Sequence, residues 1–182
     1  MRTALVQMPV WWTIDPPLGL AQLAGCLKST GQNILVFDLN ILLWKDRLPQ
    51  YANMWLWEQF HFWNFPGIVD KFFEDNKASL ERHLESILSS NVSVIGFSIS
   101  IGSQLASFKM AQWIKKADPS RLIVFGGQYF FFGDNSRFLS EHPEVDVVIA
   151  GDADETFPAF LSDYERTGRM VKREGVVFRN GA

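Results

Sequence analysis

The sequence predicts an α/β protein: a five-stranded parallel sheet with helices on both faces. Three observations carry that prediction. Five short apolar runs, at 4–8, 34–37, 92–97, 122–125 and 145–150, have strand length and are nearly continuous in apolar residues, the pattern of strands buried on both faces. Segments of helical period separate them, so strand and helix alternate five times, which is the signature of parallel strands joined by right-handed crossovers. The composition of the 182 residues, 47% hydrophobic and 20% charged, is that of an ordinary globular domain and argues against a disordered chain.

Each helix is read from its apolar stripe. Leu20, Leu23, Ala24 and Leu27 mark the first, and Gly31 follows as a C-terminal cap. Leu80, Leu84, Ile87 and Leu88 mark the second; Leu105, Phe108, Ala111 and Ile114 mark the third, closed by Asp118-Pro119. A short fourth surrounds Phe138 and Leu139, and the fifth carries Phe157, Phe160, Leu161 and Tyr164. Two regions fall outside the alternation. Residues 44–73 are rich in Trp and Phe and too long for an ordinary connection. They predict an aromatic-rich helical insertion, helical over about 50–62, that either packs a small subdomain or presents a surface to another domain or ligand. Two β-prone runs around Gly175 predict a C-terminal hairpin. The expected organisation is therefore an α/β domain over 1–168 and a hairpin or linker over 169–182.

The net charge of −3 gives no basic footprint for nucleic acid. A single cysteine, Cys26, excludes an internal disulfide framework and any cysteine-clustered zinc or iron–sulfur site within the chain. It fits a reducing compartment, so a cytoplasmic location is expected. No apolar stretch has the length of a membrane span, and the start is too short a run for a signal peptide.

In an open α/β sheet, ligands bind beyond the carboxyl ends of the strands. That directs attention to the loops at 9–19, 38–40, 98–103, 126–133 and 151–155. The first, with Pro9, Trp11, Trp12, Asp15, Pro16, Pro17 and Leu18, has no glycine before Gly19, so it is neither a dinucleotide fingerprint nor a Walker A loop. Asp38 is either a ribose-binding acid or a local cap. Ser98 and Ser100 offer small donors and acceptors at a strand end, and Ser103 stands where a helix N-cap would. Gly126 and Gly127 serve either a tight turn or the close approach of a ligand, with Gln128, Tyr129 and three phenylalanines after them. Gly151 leads into Asp152, which has capping-box spacing to Glu155. His61, His83 and His142 are scattered without metal-ligand spacing, and Cys26 reads as core on the first helix. No catalytic constellation emerges.

Read together, the loops resemble a known family. Pro16-Pro17-Leu18-Gly19-Leu20-Ala21-Gln22-Leu23-Ala24, then Gly31 and Val36-Phe37-Asp38-Leu39-Asn40, resemble the opening of the cobalamin-binding domain of B12-dependent radical SAM proteins. The strand ending Gly96-Phe97-Ser98, the strand ending Gly126-Gly127 and the turn Gly151-Asp152-Ala153-Asp154-Glu155-Thr156-Phe157 follow in the family's order, with Asp152 and Ala153 replacing its usual Glu and Gly. The tail Val176-Val177-Phe178-Arg179-Asn180-Gly181 resembles the hairpin before that family's barrel. Nearly the whole chain is covered apart from the aromatic insertion.

The resemblance implies a flavodoxin-like, Rossmann-like cobalamin-binding fold with strand order 2-1-3-4-5. It implies cobalamin bound base-off with no protein ligand on cobalt, since the first loop has Asp15 and Gly19 but lacks the histidine of the D-x-H-x-x-G pattern. The corrin is expected over Pro9, Trp11, Trp12, Asp15, Pro16, Pro17, Leu18 and Gly19. Its nucleotide tail is expected between that loop and Ser98, Ser100, Gly126 and Gly127, with Gln128, Tyr129, Gly151 and Asp152 completing the site. S-adenosylmethionine and a 4Fe-4S cluster belong, on this resemblance, to a radical SAM domain of the same parent protein, methyltransferase-like in its reaction. The chain is then a fragment or a stand-alone relic, non-catalytic alone, and self-associating through the face that domain would cover. Two other readings stay open: an α/β enzyme using a nucleotide or sugar nucleotide, with Asp38 on a ribose, and a cofactor-free interaction domain whose aromatic insertion docks a partner. Supplied with methylcobalamin, S-adenosylmethionine and a reductant, the chain is expected to release no 5′-deoxyadenosine, because one cysteine cannot hold the cluster; turnover by this chain alone would overturn that expectation.

Overall fold

The computed structural model describes residues 1–179. Six strands form one sheet: β1 (Arg2–Gln7), β2 (Asn33–Asp38), β3 (Val94–Ser98), β4 (Leu122–Gly126), β5 (Val147–Ile149) and β6 (Val176–Phe178), in the order β2-β1-β3-β4-β5-β6. The first five are parallel, with Leu5 level with Val36 on one side and Gly96 on the other. β6 joins β5 antiparallel, Val148 opposite Val177. The sheet is thus mixed and six-stranded, a correction to the five parallel strands expected.

Among the described residues seven α-helices cover it: α1 (Leu18–Ser29), α2 (Leu39–Asp46), α3 (Pro66–Asp75), α4 (Lys77–Ser89), α5 (Gln104–Ala117), α6 (Asn135–Glu141) and α7 (Ala153–Thr167). The central strands are buried on both faces, and their alternate residues enter different cores. Leu5, Val94, Val124 and Val147 meet Leu20, Ala24 and Leu27 of α1 and Phe157, Phe160 and Leu161 of α7. Ala4, Val6, Ile95, Phe97, Ile123 and Phe125 face the larger core, which takes in α2 to α6. The short α2 is missing from the sequence reading. No loop precedes it: β2 runs straight into it, and the Asp38 carboxylate accepts from Ile41 N at 3.1 Å as its cap. The expected loop at 38–40 is therefore a strand–helix junction.

The insertion is helical, as two 3₁₀ segments, Pro49–Trp55 and Trp57–Asn64, followed by α3. Its inner face is an aromatic core. Trp63 is fully buried, edge-on to Trp55 and Phe72 at about 5 Å, an arrangement aromatic quadrupoles favour. Trp63 Nε1 donates to Met54 O at 2.9 Å. Tyr51 donates to Asp75 at 2.7 Å, and burial together with that carboxylate pushes its hydroxyl pKa up to about 12. Leu56, Trp57 and Phe65 point outward. The packed subdomain of the first alternative is thus present on the inner face.

The C-terminal hairpin needs correction too. Residues 169–174 form no strand, and 180–182 lie outside the described residues. Arg173 is drawn to α7 instead, its guanidinium 2.7 Å from Asp163, while Met170 packs on the α1–α7 core. Gly175, at φ +74, then turns the chain onto β5, where its carbonyl accepts from Ala150 N at 2.7 Å. Hydrogen bonds from Arg166 and Arg173 hold the Asp163 carboxyl below its ordinary 3.8. A depressed carboxyl contributes stability above its unfolded pKa that is lost as pH falls through the folded value. Asp163→Asn is accordingly expected to lower Tm at neutral pH, with the deficit shrinking as pH falls below 3.8 and gone only below the lower folded value; Tm followed against pH for both proteins checks this.

Candidate functional site

At the carboxyl ends of β1, β3, β4 and β5 lies a cavity of about 270 Å³, just below the usual range of about 300–1,000 Å³ for small-molecule sites. It opens where the strand order reverses about β1, the position at which open α/β sheets bind ligands. Four of the five loops selected from the sequence meet there: 9–19, 98–103, 126–133 and 151–155.

Ten of the sequence-selected residues line it: Trp11, Pro17, Gly19, Ser98, Ser100, Gly126, Gly127, Gln128, Gly151 and Asp152. Six do not. Pro9 is buried, and Asp15, Pro16 and Leu18 are exposed. Tyr129 turns toward Phe130 and Phe108. Trp12 stacks on Trp57 of the insertion, rings 5.1 Å apart and 9° from parallel. The Trp11–Trp12 pair is therefore split, Trp11 in the cavity wall and the Trp12 ring on the insertion. Asp38 is not in the lining; burial raises its carboxyl above the ordinary value, against the backbone hydrogen bonds of its cap.

The wall also holds residues that the sequence reading did not select for the site. Leu5 and Gln7 come from β1, Leu20, Gln22 and Leu23 from α1, Gly96 from β3, and Asp154 and Phe157 from α7. Gln7 was detectable as a polar residue ending an apolar strand; its amide donates to Met8 O at 2.9 Å and its residue is 2% exposed. The Gln22 amide and the Asp154 carboxylate hydrogen-bond to each other across one edge. No Lys, Arg or His is among the lining residues. His83 is tied to Asp46 and His142 to Glu144, and among the described residues no three His, Cys, Asp or Glu gather as a metal site.

The glycines do different jobs. Gly127 has φ +108, and a Cβ there would lie 2.6 Å from Ile99 O, so it serves the close approach of loop 98–103. A Cβ on Gly126 would meet Ile149 at ordinary contact distance, so packing does not demand glycine and its openness goes to the cavity. The Ser103 hydroxyl accepts from Ser100 N at 2.9 Å and makes no cap bond to α5; Asp152 likewise makes none, so the capping box with Glu155 is not formed. Both side chains are turned to other tasks, Ser103 to fixing the loop and Asp152 to the cavity wall.

Asn40 sets the first loop. Its side chain is buried and accepts from Trp11 N at 3.1 Å and Trp55 Nε1 at 2.8 Å. It donates to Trp11 O at 3.2 Å and Trp12 O at 3.5 Å. Loop, α2 and insertion are thus joined at one amide. The Trp11 indole Nε1 is buried and has no acceptor among the described residues; an unpaired buried donor costs about 1–3 kcal/mol.

The loops that meet at the cavity also carry exposed apolar residues: Ile14, Leu18, Ile101, Phe131 and Phe132, the last 89% exposed. Among the described residues no helix is long and apolar enough to cross a membrane.

No protein-family model matches the chain. Among curated proteins, the chain is similar to the anaerobic magnesium-protoporphyrin IX monomethyl ester cyclase of Synechocystis sp. (strain ATCC 27184 / PCC 6803 / Kazusa), 20% identical over 166 residues. That match covers 90% of this chain and 26% of the cyclase, so the chain spans about a quarter of that relative's length. Among solved structures, the crystal structure of Clostridium botulinum phage c-st TubZ covers 98% of this chain, and this chain 63% of that one, at 10% identity and a TM-score of 0.48; a likeness of that degree carries no argument.

Replacing Asn40 by leucine strands Trp11 N, Trp11 O and Trp55 Nε1 without partners. At about 1–3 kcal/mol for each group, nearest the lower figure at Trp11 N and O because water can replace the partner of a part-buried group, Asn40→Leu is expected to destabilise the protein by roughly 3–5 kcal/mol in urea denaturation, with hydrogen exchange at the Trp11 amide accelerated first.

Proposed function

We propose that the chain is a cobalamin-binding module, holding the cofactor base-off at this cavity without a protein ligand on cobalt. The observation that carries the reading is the cavity: four of the loops on which the family resemblance rests converge on it, at the switch point of the sheet. The order β2-β1-β3-β4-β5 agrees with the flavodoxin-like, Rossmann-like arrangement that the resemblance implies.

The residues present fit the group. About 270 Å³ suits one compact fragment of a ligand, such as a nucleotide tail, while a ring as broad as a corrin has to stay at the mouth against loop 9–19 and the apolar rim. Gly126 and Ser98 leave room at two strand ends. Without a cation, and with Asp152 and Asp154 in the wall, the cavity suits a ligand rich in neutral amides. It disfavours a di- or triphosphate, for which Arg, Lys or a glycine-rich cradle would be needed. That also weighs against the sugar-nucleotide reading, as does Asp38 acting as a cap outside the wall. When bound, methylcobalamin supplies a methyl group; the side chains of this chain bind, orient and shield.

The match to an anaerobic cyclase over most of this chain, and about a quarter of that protein, supports a module belonging to a larger enzyme. We take that parent to be a B12-dependent radical SAM enzyme, methyltransferase-like, whose S-adenosylmethionine and iron–sulfur cluster reside in its other domain. The apolar rim is the surface on which that domain would rest, and through which the chain alone would self-associate.

Mixed with hydroxocobalamin and desalted, the protein is expected to keep the corrin absorption spectrum. Gly126→Trp and Ser98→Trp, checked for native far-UV circular dichroism, are expected to lose it. A colourless wild-type protein after desalting overturns the reading, and a thermal shift with nucleotides but not with cobalamin favours the nucleotide alternative.

A further inference from the structure

We propose that Gln7 is a recognition residue of the cavity: its side-chain oxygen, Oε1, accepts a hydrogen bond from an N–H or O–H of the bound ligand. The identity of the ligand rests on the cobalamin reading; the role of Gln7 rests on the register of the sheet and on the hydrogen bonding of its own amide.

The register places the side chain. Alternate residues of a strand point to opposite faces, and Val6 and Met8 belong to the larger core. Gln7 therefore shares its face with Leu5, the face covered by α1 and α7. The ladder that pairs Val6 with Phe97 brings Gln7 level with Ser98. Ser98 pairs with Gly126, and Gly126 with Ile149. Side chains level with one another in a ladder lie on the same face, so Gln7, Ser98, Gly126 and Ile149 form one row across the sheet. All four line the cavity, as do Leu5, Gly96 and Val124 of the row two residues earlier. These two rows are the floor, and Gln7 is the one long polar side chain in them. Ser98 beside it is small and Gly126 has no side chain, which leaves the cavity open on that side of the amide.

Chemistry orients the amide. The carbonyl of Met8 only accepts, so the amide atom 2.9 Å from it is Nε2. Oε1 is the atom left over, and it has no donor among the described residues. It differs from the four unpaired side-chain atoms that are sealed from solvent, on Thr3, Trp11, Arg47 and Gln104. Gln7 is only 2% exposed, yet its Oε1 stays open to a molecule of water's size, and the space it opens to is the cavity its residue lines. A buried acceptor held in one orientation calls for a partner, and few such polar groups fix the orientation of a ligand in a mostly apolar pocket. The wall holds two more acceptors, the carboxylates of Asp152 and Asp154, and no cation. A ligand that fits therefore brings donors. Cobalamin has two kinds, the N–H of its carboxamides and the O–H of its ribose.

Titrations of the full chain with hydroxocobalamin, followed by absorbance, compare the wild type with Gln7→Met, which keeps the length of the side chain and removes the amide. Binding is expected to weaken about tenfold, the ratio for one ligand donor left without its acceptor. Repeating the titration with cobinamide, which keeps carboxamides but lacks the ribose, separates the sources: a penalty retained there indicates a carboxamide N–H, and a penalty lost there indicates the ribose O–H. A second readout, which an amide serving only Met8 would not move, is the side-chain ¹³Cδ signal of Gln7 in the labelled wild type. It is expected to shift downfield on adding hydroxocobalamin. Equal binding by wild type and Gln7→Met overturns the inference and leaves the cobalamin reading standing, as does weakened binding with an unshifted ¹³Cδ signal. Should Gln7→Met lose native circular dichroism, the ¹³Cδ signal decides alone. Absence of binding by the wild type overturns both readings.

Discussion

The side-chain amide of Asn40 is the constraint on which the architecture around the cavity depends. It uses its oxygen twice and its nitrogen twice, joining the loop after β1, the start of α2 and the first 3₁₀ segment of the insertion. Backbone polar groups in a partly buried loop must find partners or the loop cannot stay there. Asn40 supplies them to Trp11 and Trp12 in the absence of a strand or helix. Only a side chain with both a donor and an acceptor can do this; aspartate at the same place would present oxygen to two carbonyls.

That arrangement couples the aromatic insertion to the cavity wall, although none of its residues lines the cavity. Its inner face, Tyr51, Trp55, Trp63 and Phe72, is an ordinary close-packed core. Its outer face carries the Trp12–Trp57 stack, so the two sides of the 11–12 peptide are committed to different neighbours: Trp11 to the cavity wall and the Trp12 ring to the insertion. A stiff loop with consecutive prolines then needs few hydrogen bonds to hold one shape, because proline has already removed much of its conformational freedom.

Charge distinguishes the cavity as much as shape does. Carboxylates of Asp152 and Asp154 stand at the start of α7, where the helix dipole favours them. Their negative charge stands at the helix N-terminus, where a multiply charged phosphate group would otherwise be welcomed. Neighbouring amides of Gln7, Gln22 and Gln128 and hydroxyls of Ser98 and Ser100 are neutral. A site of this chemistry discriminates by hydrogen-bonding pattern and size rather than by attraction to a charge.

The parallel sheet, its first five strands and the loops that form the site were legible in the sequence, because runs such as Val92 to Phe97 and Leu122 to Phe125 can be continuous in apolar residues only if both faces are buried. Ten of the cavity residues followed from where such strands end. Tertiary structure alone decided the rest. Arg173, before β6, is taken up by Asp163 on α7, and in place of the expected hairpin a single strand runs antiparallel to β5. Gln22 and Phe157 enter the wall from helices whose periodicity says only that one stripe is buried, not against what. Asn40 reaches Trp11 across 29 positions of sequence, a contact that no local pattern encodes. Periodicity and turn chemistry report what a residue does within its own segment; which acceptor a buried donor finds, or fails to find, depends on segments brought together only when the chain is folded.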